Sequence, residues 1–239
     1  MEVLCLAKRV LDYQSKLSIS DMRVLSESGR YILNPFDEIA IEEAVRWKEK
    51  GLVNKIIVLS VGEDEQAIRY GLSMGADCGV LIKTPEVNDP LFVSKTIFNY
   101  CKGRDFKIIL AGKQAIDTDS GQIPARVASL LNWPFIPYAS KIDIYDSTVV
   151  VEKEVDKGIE VVSARIPCVI TVDLRLNTPR FPPLPAVLKA KQKPVDVVQP
   201  DFEAGQVIEI QSLQIPTKVR QRRQTTSVSE FVDEIKKIL

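Results

Sequence analysis

One stretch of this sequence combines the residue types that bind an anion. It reads Gly112-Lys113-Gln114-Ala115-Ile116-Asp117-Thr118-Asp119-Ser120-Gly121-Gln122, follows an apolar run and leads into a helical pattern. Small and hydroxyl-bearing residues before a helix present backbone N–H groups to a group such as phosphate. The carboxylates of Asp117 and Asp119 can cap the helix or accept a hydrogen bond from a ribose hydroxyl. The stretch matches neither Walker A nor GxGxxG, so an ordinary capped loop is the alternative.

Two further segments stand at the end of a strand pattern or the start of a helix pattern. Asn34-Pro35-Phe36-Asp37 opens a helix, with Asn34 suited to the N-cap and Pro35 to the first helical position. Ser60-Val61-Gly62 ends a β-branched run. Ligands of open parallel sheets bind outside the carboxyl ends of the strands. If these ends converge, the crevice between them fits an adenine nucleotide better than a large substrate.

The composition excludes most familiar catalytic sites. The 239 residues include no histidine, which rules out Ser-His-Asp and Cys-His nucleophiles and histidine metal ligands. The four cysteines are too far apart for a CxxC motif, and we expect reduced, buried thiols in a reducing compartment. We therefore expect no catalytic residue and no metal site.

Charge and hydropathy argue against two classes of partner. Basic and acidic residues number 32 each, so the whole-chain charge gives no reason to expect nucleic-acid binding. No apolar run approaches the ~20 residues that span a bilayer, so we expect no membrane insertion. A short basic run, Lys218 to Arg223, contains too few aromatic residues to indicate RNA binding.

A proline-rich segment, 174–193, carries five basic residues and no acidic one. Phe181 and Leu184 lie within it, and an apolar side chain surrounded by positive charge resembles the anchor of a docking surface. Proline also reduces the entropy that a loop loses on binding. The alternative is a solvated surface linker.

Apolar runs that alternate with helical patterns predict an α/β fold. The predicted strands cover 3–7, 55–60, 78–82 and 106–111, and the predicted helices cover 35–50, 64–74, 90–102 and 122–131. The strands are almost entirely apolar, which is typical of parallel strands buried on both faces. We therefore expect a Rossmann-like, doubly wound, mostly parallel sheet with helices on both faces.

The pattern changes after Trp133-Pro134. Alternating runs cover 141–145, 149–155 and 159–164. The turn signal Asp156-Lys157-Gly158 predicts a small antiparallel hairpin, and 169–173 predicts one more buried strand.

The ends of the pattern suggest one domain and an arm. Residues 8–33 form a long connection with few regular signals, and long loops at strand ends are usually functional. The domain is predicted to span 1–193, including the segment 174–193. Residues 194–239 are predicted to form an extended arm that wraps a partner, helical only over 229–239.

Several of these segments together resemble the beta subunits of electron-transfer flavoproteins. The matching pieces are Lys8 to Tyr13, Asn34 to Ala44, Gly112 to Asp117, Ala139 to Lys141, Asp173 to Arg180, Leu184-Pro185 and Lys189 to Lys191. Each piece is modest, but their order and spacing make the resemblance specific, and it extends to about residue 195.

The resemblance implies a heterodimer in which an alpha subunit, wrapped by the arm, mainly holds FAD and the beta subunit buries AMP. The implied AMP contacts are Leu6, Ala7, Asn34, Pro35, Phe36, Asp37, Val61, Gly112, Lys113, Gln114, Ala115, Ile116, Asp117, Thr118, Asp119, Ser120, Gly121, Gln122 and Ile123. The pocket chosen on physical grounds and the pocket implied by resemblance are thus the same.

The resemblance also implies roles at the partner surfaces. Tyr13 and Phe36 match positions near the flavin, and Glu154 matches an acid that contacts an arginine of the moving FAD domain. The anchor that docks acyl-CoA dehydrogenases corresponds to Leu184, in a segment with Phe181, Arg180 and the sometimes methylated position Lys189. The implied protein is a non-catalytic electron carrier of fatty acid oxidation, in the bacterial cytoplasm or, in a eukaryote, the mitochondrial matrix.

One departure from the family pattern leaves two alternatives. AMP-binding relatives often continue the loop with Asn-Gln-Thr-Gly-Gln, whereas this chain has Gly121-Gln122-Ile123-Pro124-Ala125, closer to bifurcating relatives with a second FAD that accepts hydride from NADH. Phe36 favours AMP, which we predict. An unrelated alternative is a nucleotide hydrolase or adenylating enzyme with Mg²⁺ on Asp117 and Asp119, although the chain lacks a P-loop. A plain scaffold protein is the last alternative.

Overall fold

The computed structural model describes residues 1–20, 23–85, 89–200, 208, 210–215 and 224–237. The strands are β1 (Glu2–Leu6), β2 (Arg9–Leu11), β3 (Leu17–Ser20), β4 (Arg23–Ser26), β5 (Tyr31–Leu33), β6 (Lys55–Gly62), β7 (Cys78–Lys83), β8 (Phe106–Gly112), β9 (Phe135–Tyr145), β10 (Thr148–Val155), β11 (Gly158–Arg165), β12 (Cys168–Val172) and β13 (Val195–Val198). The helices are α1 (Pro35–Glu49), α2 (Gln66–Met74), α3 (Pro90–Cys101), α4 (Gln122–Leu131), α5 (Leu184–Ala190) and α6 (Val228–Lys236).

Nine of these strands form one sheet in the order β11-β10-β9-β12-β8-β1-β6-β7-β13, counted over the described ranges. Neighbours from β9 to β13 run parallel, and the β9–β10 and β10–β11 pairs are antiparallel. The predicted mostly parallel sheet is therefore confirmed, and so is the predicted hairpin, at one edge of it.

The helices cover the sheet on both faces because the side chains of a strand alternate between them. In β1, Val3 and Cys5 join the cluster beneath α1 and α2, which contains the fully buried Trp47. Leu4 and Leu6 join the opposite cluster beneath α3 and α4. Both faces of the central strands are thus buried, which explains their nearly continuous apolar sequence.

Two stretches are more regular than the sequence analysis predicts. The connection 8–33 holds two short antiparallel pairs, β2 with β5 and β3 with β4. The segment 174–193 was predicted as a loop, yet it contains α5, because its prolines stand where a helix tolerates them: Pro183 at the N-cap and Pro185 in the first turn.

The predicted arm begins as part of the sheet. Strand β13 (Val195–Val198) pairs with β7 and extends the parallel sheet by one strand. The final helix α6 lies close to its predicted bounds, and the last two predicted residues, like the basic run Lys218 to Arg223, lie outside the described residues. Wrapping of a partner by this arm stays a prediction.

The cysteines are free thiols, and the predicted burial is confirmed for three of the four but is wrong for Cys78. Cys5, Cys101 and Cys168 are buried and Cys78 is half-buried. Burial raises the pKa of Cys101 and Cys168 to about 12, so neither forms the reactive thiolate at neutral pH. Among the described helices, none has the length and apolar character needed to cross a bilayer.

Candidate functional site

A cavity of about 330 Å³ opens at the carboxyl ends of β1, β6 and β8. From β1 the chain proceeds to β6 and β7 on one side, and later to β8 and β12 on the other. The cavity therefore lies where the strand order reverses, which is the usual ligand position in an open α/β sheet.

Three helices begin at this cavity. Asn34 and Asp37 at the start of α1, Asp89 and Pro90 at the start of α3, and Gly121 before α4 all line it. The N-terminal end of a helix carries free backbone N–H groups and a partial positive charge. Three such ends around one cavity favour an anionic ligand.

The lining divides into an apolar and a polar part. The apolar part comes from the strands, α3 and the start of α4, and comprises Leu6, Leu59, Val61, Val93, Ile97, Ala111, Ile123 and Pro124. The polar part comes from the loop after β8, with Gln114, Thr118, Ser120, Gly121 and Gln122, and from Lys8, Asn34, Asp37 and Asp89 around it. Such a cavity can take a ligand with a flat apolar ring system at one end and a charged group at the other.

Asp37 ties three elements together at the cavity wall. Its carboxylate accepts the backbone N–H of Lys8, after β1, and that of Gly112, the last residue of β8, both at 2.9 Å. The side chain belongs to the first turn of α1 and is buried. Asp37 therefore fixes the strand ends relative to the helix start.

Asn34 holds the loop after β8. Its side-chain amide donates to the carbonyl of Gln114 at 2.9 Å and its oxygen accepts the backbone N–H of Ile116 at 3.2 Å. Asn34 occupies the N-cap of α1 as predicted, but its side chain makes no capping hydrogen bond because the loop uses it instead. The residue acts as a bridge between two segments of the site.

The carboxylates of the loop already have partners within the chain. Asp117 forms an ion pair with Lys8 at 2.6 Å, and Asp119 accepts a hydrogen bond from the Gln114 amide at 2.8 Å. Across the described residues, no group of three or more acidic or cysteine side chains is placed to hold a metal ion. The Mg²⁺ alternative therefore gains no support from the geometry of Asp117 and Asp119.

Burial dominates the electrostatics at the start of α1. It raises the pKa of Asp37 to about 7, against the opposing effect of its two backbone hydrogen bonds. Burial, followed by the nearby Asp37 charge, raises the pKa of Glu38 to about 7. Both carboxyl groups therefore titrate close to neutral pH.

The raised pKa of Asp37 predicts a pH-dependent stability. In the unfolded chain Asp37 loses its proton near 3.8, whereas the folded chain keeps it up to about 7. The stabilisation is fully present below 3.8 and is lost as pH rises to about 7, at up to about 1.4 kcal/mol per pH unit. Chemical denaturation of wild type and Asp37→Asn from pH 4 to 8 should show the wild-type advantage shrinking as pH rises. An advantage that grows instead would mean that the folded protein lowers this pKa.

Most residues predicted to contact a nucleotide line the cavity. They are Leu6, Ala7, Asn34, Asp37, Val61, Gly112, Gln114, Ala115, Thr118, Ser120, Gly121, Gln122 and Ile123. The others lie outside its wall and comprise Pro35, Phe36, Lys113, Ile116, Asp117 and Asp119. Of these, Ile116, Asp117 and Asp119 bind Asn34, Lys8 and Gln114 respectively, so they shape the site without facing it.

The structure adds lining residues that sequence reasoning missed. They are Lys8, Leu59, Asp89, Pro90, Val93, Ile97, Ala111, Pro124 and Ile208. Asp89-Pro90 is a helix-start signal of the same kind as Asn34-Pro35, and the Asp89 side chain caps α3 by accepting the Leu91 N–H at 2.8 Å. That signal was available in the sequence, whereas nothing there indicates Ile208.

A second, polar cleft of about 400 Å³ adjoins the first through Gln114. Two ion pairs cross it, Lys113 with Asp173 at 2.8 Å and Arg175 with Glu154. Glu154, predicted to meet a partner arginine, thus pairs with an arginine of its own chain. The ammonium group of Lys113 also lies 5.1 Å from the ring centroid of Phe36.

The residues predicted to lie near the flavin differ in exposure. Phe36 is buried against Gly112, while Tyr13 is exposed in the connection after β2. Only Tyr13 therefore presents its ring to solvent.

The residues predicted to dock a partner surround α5. Phe181 is 90% exposed and Leu184 is 70% exposed, and Leu188 lies one turn after Leu184 with 54% exposure. Lys189 is exposed in the last turn. Arg180 differs, because its guanidinium group pairs with Glu42 and Glu49 of α1.

Comparison with known proteins connects this geometry to a family. A family model described as "Electron transfer flavoprotein domain" matches residues 22–203. An electron transfer flavoprotein subunit beta of Dictyostelium discoideum is 37% identical to this chain. The alignment covers 99% of this chain and 98% of the relative's length. The subunit beta of Bradyrhizobium diazoefficiens is 41% identical over 82% of this chain and 80% of its own.

A third relative is the subunit beta of Arabidopsis thaliana, whose name includes "mitochondrial". It is 37% identical over 99% of this chain and 98% of its own. The family model spans both the loop after β8 and the helix α5, and two of the three relatives align over 99% of this chain. This chain therefore belongs to the electron transfer flavoprotein family, as a beta subunit.

Proposed function

We propose that the cavity at the carboxyl ends of β1, β6 and β8 holds AMP as a structural ligand. The observation that carries this proposal is the convergence of three helix N-termini on a cavity with one apolar wall. The adenine ring would lie against the apolar part, with Leu6, Val61 and Ile97. The phosphate would lie near Ser120 and Gly121, at the start of α4, because the first turn of a helix presents backbone N–H groups to an anion.

The size of the cavity supports a mononucleotide. Its volume of about 330 Å³ lies at the small end of the range of ligand pockets, roughly 300–1,000 Å³. A flavin dinucleotide is about twice as large as AMP and would extend beyond the cavity. The alternative is a bifurcating subunit that holds a second FAD in this cavity. The absence of a threonine hydroxyl at position 123, which is Ile123, favours that alternative.

The chain is proposed to position a flavin rather than to catalyse. It has no histidine, and its buried cysteines are held as thiols. FAD, held mainly by the alpha subunit, supplies the redox chemistry when bound. The side chains of this subunit supply the binding surfaces and the charges around them.

The outer face of α5 is the proposed contact with a dehydrogenase. We call Phe181, Leu184 and Leu188 the docking face, because all three are exposed apolar side chains within the basic segment 174–193. An apolar anchor inside a basic rim fits a partner with an apolar pocket and acidic rim. An acyl-CoA dehydrogenase, in fatty acid oxidation, is the proposed partner. The compartment is the bacterial cytoplasm or the mitochondrial matrix.

The ligands released from the purified heterodimer test this function. We expect denaturation of the complex with its alpha subunit to release AMP and FAD in equal amounts. Chromatography of the released nucleotides and the flavin absorbance spectrum measure both. Two flavins per heterodimer, with reduction by NADH, would establish the bifurcating alternative. Release of FAD alone would show that the cavity holds no nucleotide.

A further inference from the structure

The segment that leads into α5 is fastened to α1 by one arginine. Arg180 donates from Nε at 2.7 Å and from Nη2 at 3.2 Å to Glu42. It donates from Nη1 at 2.6 Å and from Nη2 at 3.1 Å to Glu49. Its backbone N–H donates to Glu42 as well, at 3.2 Å. Two carboxylates that each receive a pair of donors fix both the place and the plane of the guanidinium group.

The pairing with Glu42 joins a buried carboxylate to an arginine side chain that is 34% exposed. Only 3% of the Glu42 side chain is exposed, and Arg46 donates to it at 2.8 Å. Burial opposes ionisation of Glu42, but the hydrogen bonds from Arg180 and Arg46 outweigh it and lower its pKa. The Arg180 contact is therefore stronger than an exposed ion pair, which typically contributes little.

Two neighbours of Arg180 bind the same helix. The Asn177 amide donates to the carbonyl of Ile39 at 3.1 Å and to Glu43 at 2.9 Å. The carbonyl of Thr178 accepts from Arg46 at 3.0 Å. The chain from 177 to 180 is thus attached to α1 at three of its four residues.

The other end of α5 is attached to α2. Arg69 donates to the carbonyl of Ala190 at 3.0 Å and to that of Lys193 at 2.7 Å. The Lys193 ammonium group donates to carbonyls at the C-terminal end of α2, that of Leu72 at 2.9 Å and that of Ala76. Ala190 is buried between the helices. Helix α5 is thus held at both ends while the docking face points to solvent.

We propose that Arg180 is a positioning residue for partner docking, which holds the docking face in its binding geometry before the partner arrives. This inference rests on the proposed docking of a dehydrogenase at α5. It differs from direct contact, the role that the family resemblance suggested for Arg180. Both carboxylates that Arg180 binds belong to its own chain, and its Nε and both Nη atoms are engaged by them.

Preorganisation predicts how docking depends on Arg180. A segment that is already ordered loses less conformational freedom on binding, which increases affinity without any new contact. Loss of Arg180 should therefore weaken docking by about tenfold, comparable to ordering a few side chains at an interface. The rate of electron transfer within the docked complex should not change, because the docked geometry is the same.

Two substitutions separate positioning from direct contact. Each heterodimer, with Glu49→Gln or with Arg180→Gln, serves as the electron acceptor of an acyl-CoA dehydrogenase that is supplied with its acyl-CoA. The assay measures the KM and kcat of the dehydrogenase for the heterodimer. Under positioning, both substitutions raise KM and leave kcat unchanged, and the double variant is no worse than Arg180→Gln alone. Under direct contact, Glu49→Gln frees Arg180 for the partner, so an unchanged or lower KM would overturn the proposal.

Hydrogen exchange of the free heterodimer provides a readout that needs no partner. The backbone amides of 184–190 should exchange faster in Arg180→Gln than in wild type, and equal exchange would overturn the proposal. Glu2→Gln is the matched control, because it removes a long ion pair with Lys55, 3.7 Å, at the opposite ends of the strands. It should change neither readout.

Leu184→Ala distinguishes failure of the inference from failure of the proposed function. If this variant leaves KM unchanged, the docking face does not bind the dehydrogenase, and hydrogen exchange alone decides whether Arg180 orders α5. If Leu184→Ala raises KM whereas Glu49→Gln does not, docking stands and positioning by Arg180 is wrong.

Discussion

Gly112→Ala is expected to destabilise the protein and to prevent binding of the AMP that we propose for the cavity. A β-carbon at this position would lie 2.5 Å from Cβ of Phe36 and 2.8 Å from the Phe36 carbonyl carbon. Neither atom is the end of a flexible side chain, so the end of β8 or the start of α1 must move. The same β-carbon would lie 2.6 Å from the Asp37 oxygen that accepts the Gly112 N–H. The contact that holds the cavity wall together would therefore be lost.

The size of the effect follows from the tightness of this contact. Overpacking of a core typically costs about 1–3 kcal/mol, and we expect about 3 kcal/mol here because backbone atoms are involved. For a chain of this length that lowers Tm by about 10 °C. Thermal unfolding of the heterodimer and the AMP content of the purified protein measure the two effects.

Gly62→Ala is the matched control. Gly62 ends β6 at the same edge of the sheet, but a β-carbon there meets nothing within 4 Å. We expect its Tm and AMP content to equal those of wild type. Gly112→Ala protein with wild-type Tm and full AMP content would show that the close approach to α1 is not needed.

The helices and strands that form this site could be predicted where neighbouring residues in the sequence determine them. Helix α1 was predicted to within one residue, since Asn34-Pro35 marks its start and Gly51 its end. The central strands were predicted to within two residues because each is a continuous apolar run between turn residues. Local patterns of this kind do not depend on which elements later become neighbours.

The contacts that assemble the site could not be predicted in this way. Asn34 binds a loop that lies 80 residues further along the chain, and its local role as an N-cap suggested a different partner. The contribution of α3 depends on that helix lying beside α4 over the same face of the sheet. The spacing of residues along the sequence shows neither the contact of Asn34 with the loop nor the packing of α3 beside α4. The sequence does mark the start of α3, through Asp89-Pro90.

Helix α5 illustrates the opposite difficulty. Prolines before and within it suggested a loop, and its seven residues are too few to show a helical period. What stabilises it is its attachment to α1 and α2, through side chains more than 100 residues away in sequence. A short helix that is stabilised by tertiary contacts cannot be recognised from the pattern of its own residues.

Ser120→Trp is expected to abolish AMP binding while leaving the fold intact. Ser120 is exposed and lines the polar part of the cavity, close to the start of α4. An indole there would occupy the space proposed for the phosphate without pressing on the core. We expect affinity for AMP to fall by at least ~100-fold, which corresponds to about 2.7 kcal/mol.

Thermal unfolding with and without added AMP measures this loss, because a ligand that binds only the folded state raises Tm. Wild type stripped of nucleotide should gain stability when AMP is added, and Ser120→Trp should not. Ser147→Trp, at an exposed turn between β9 and β10, should respond as wild type does. Ser120→Trp and Gly112→Ala test two different requirements of the site. Ser120→Trp blocks the ligand in an intact fold, whereas Gly112→Ala disturbs the contact that shapes the cavity. Stoichiometric AMP in purified Ser120→Trp would place the phosphate elsewhere in the cavity.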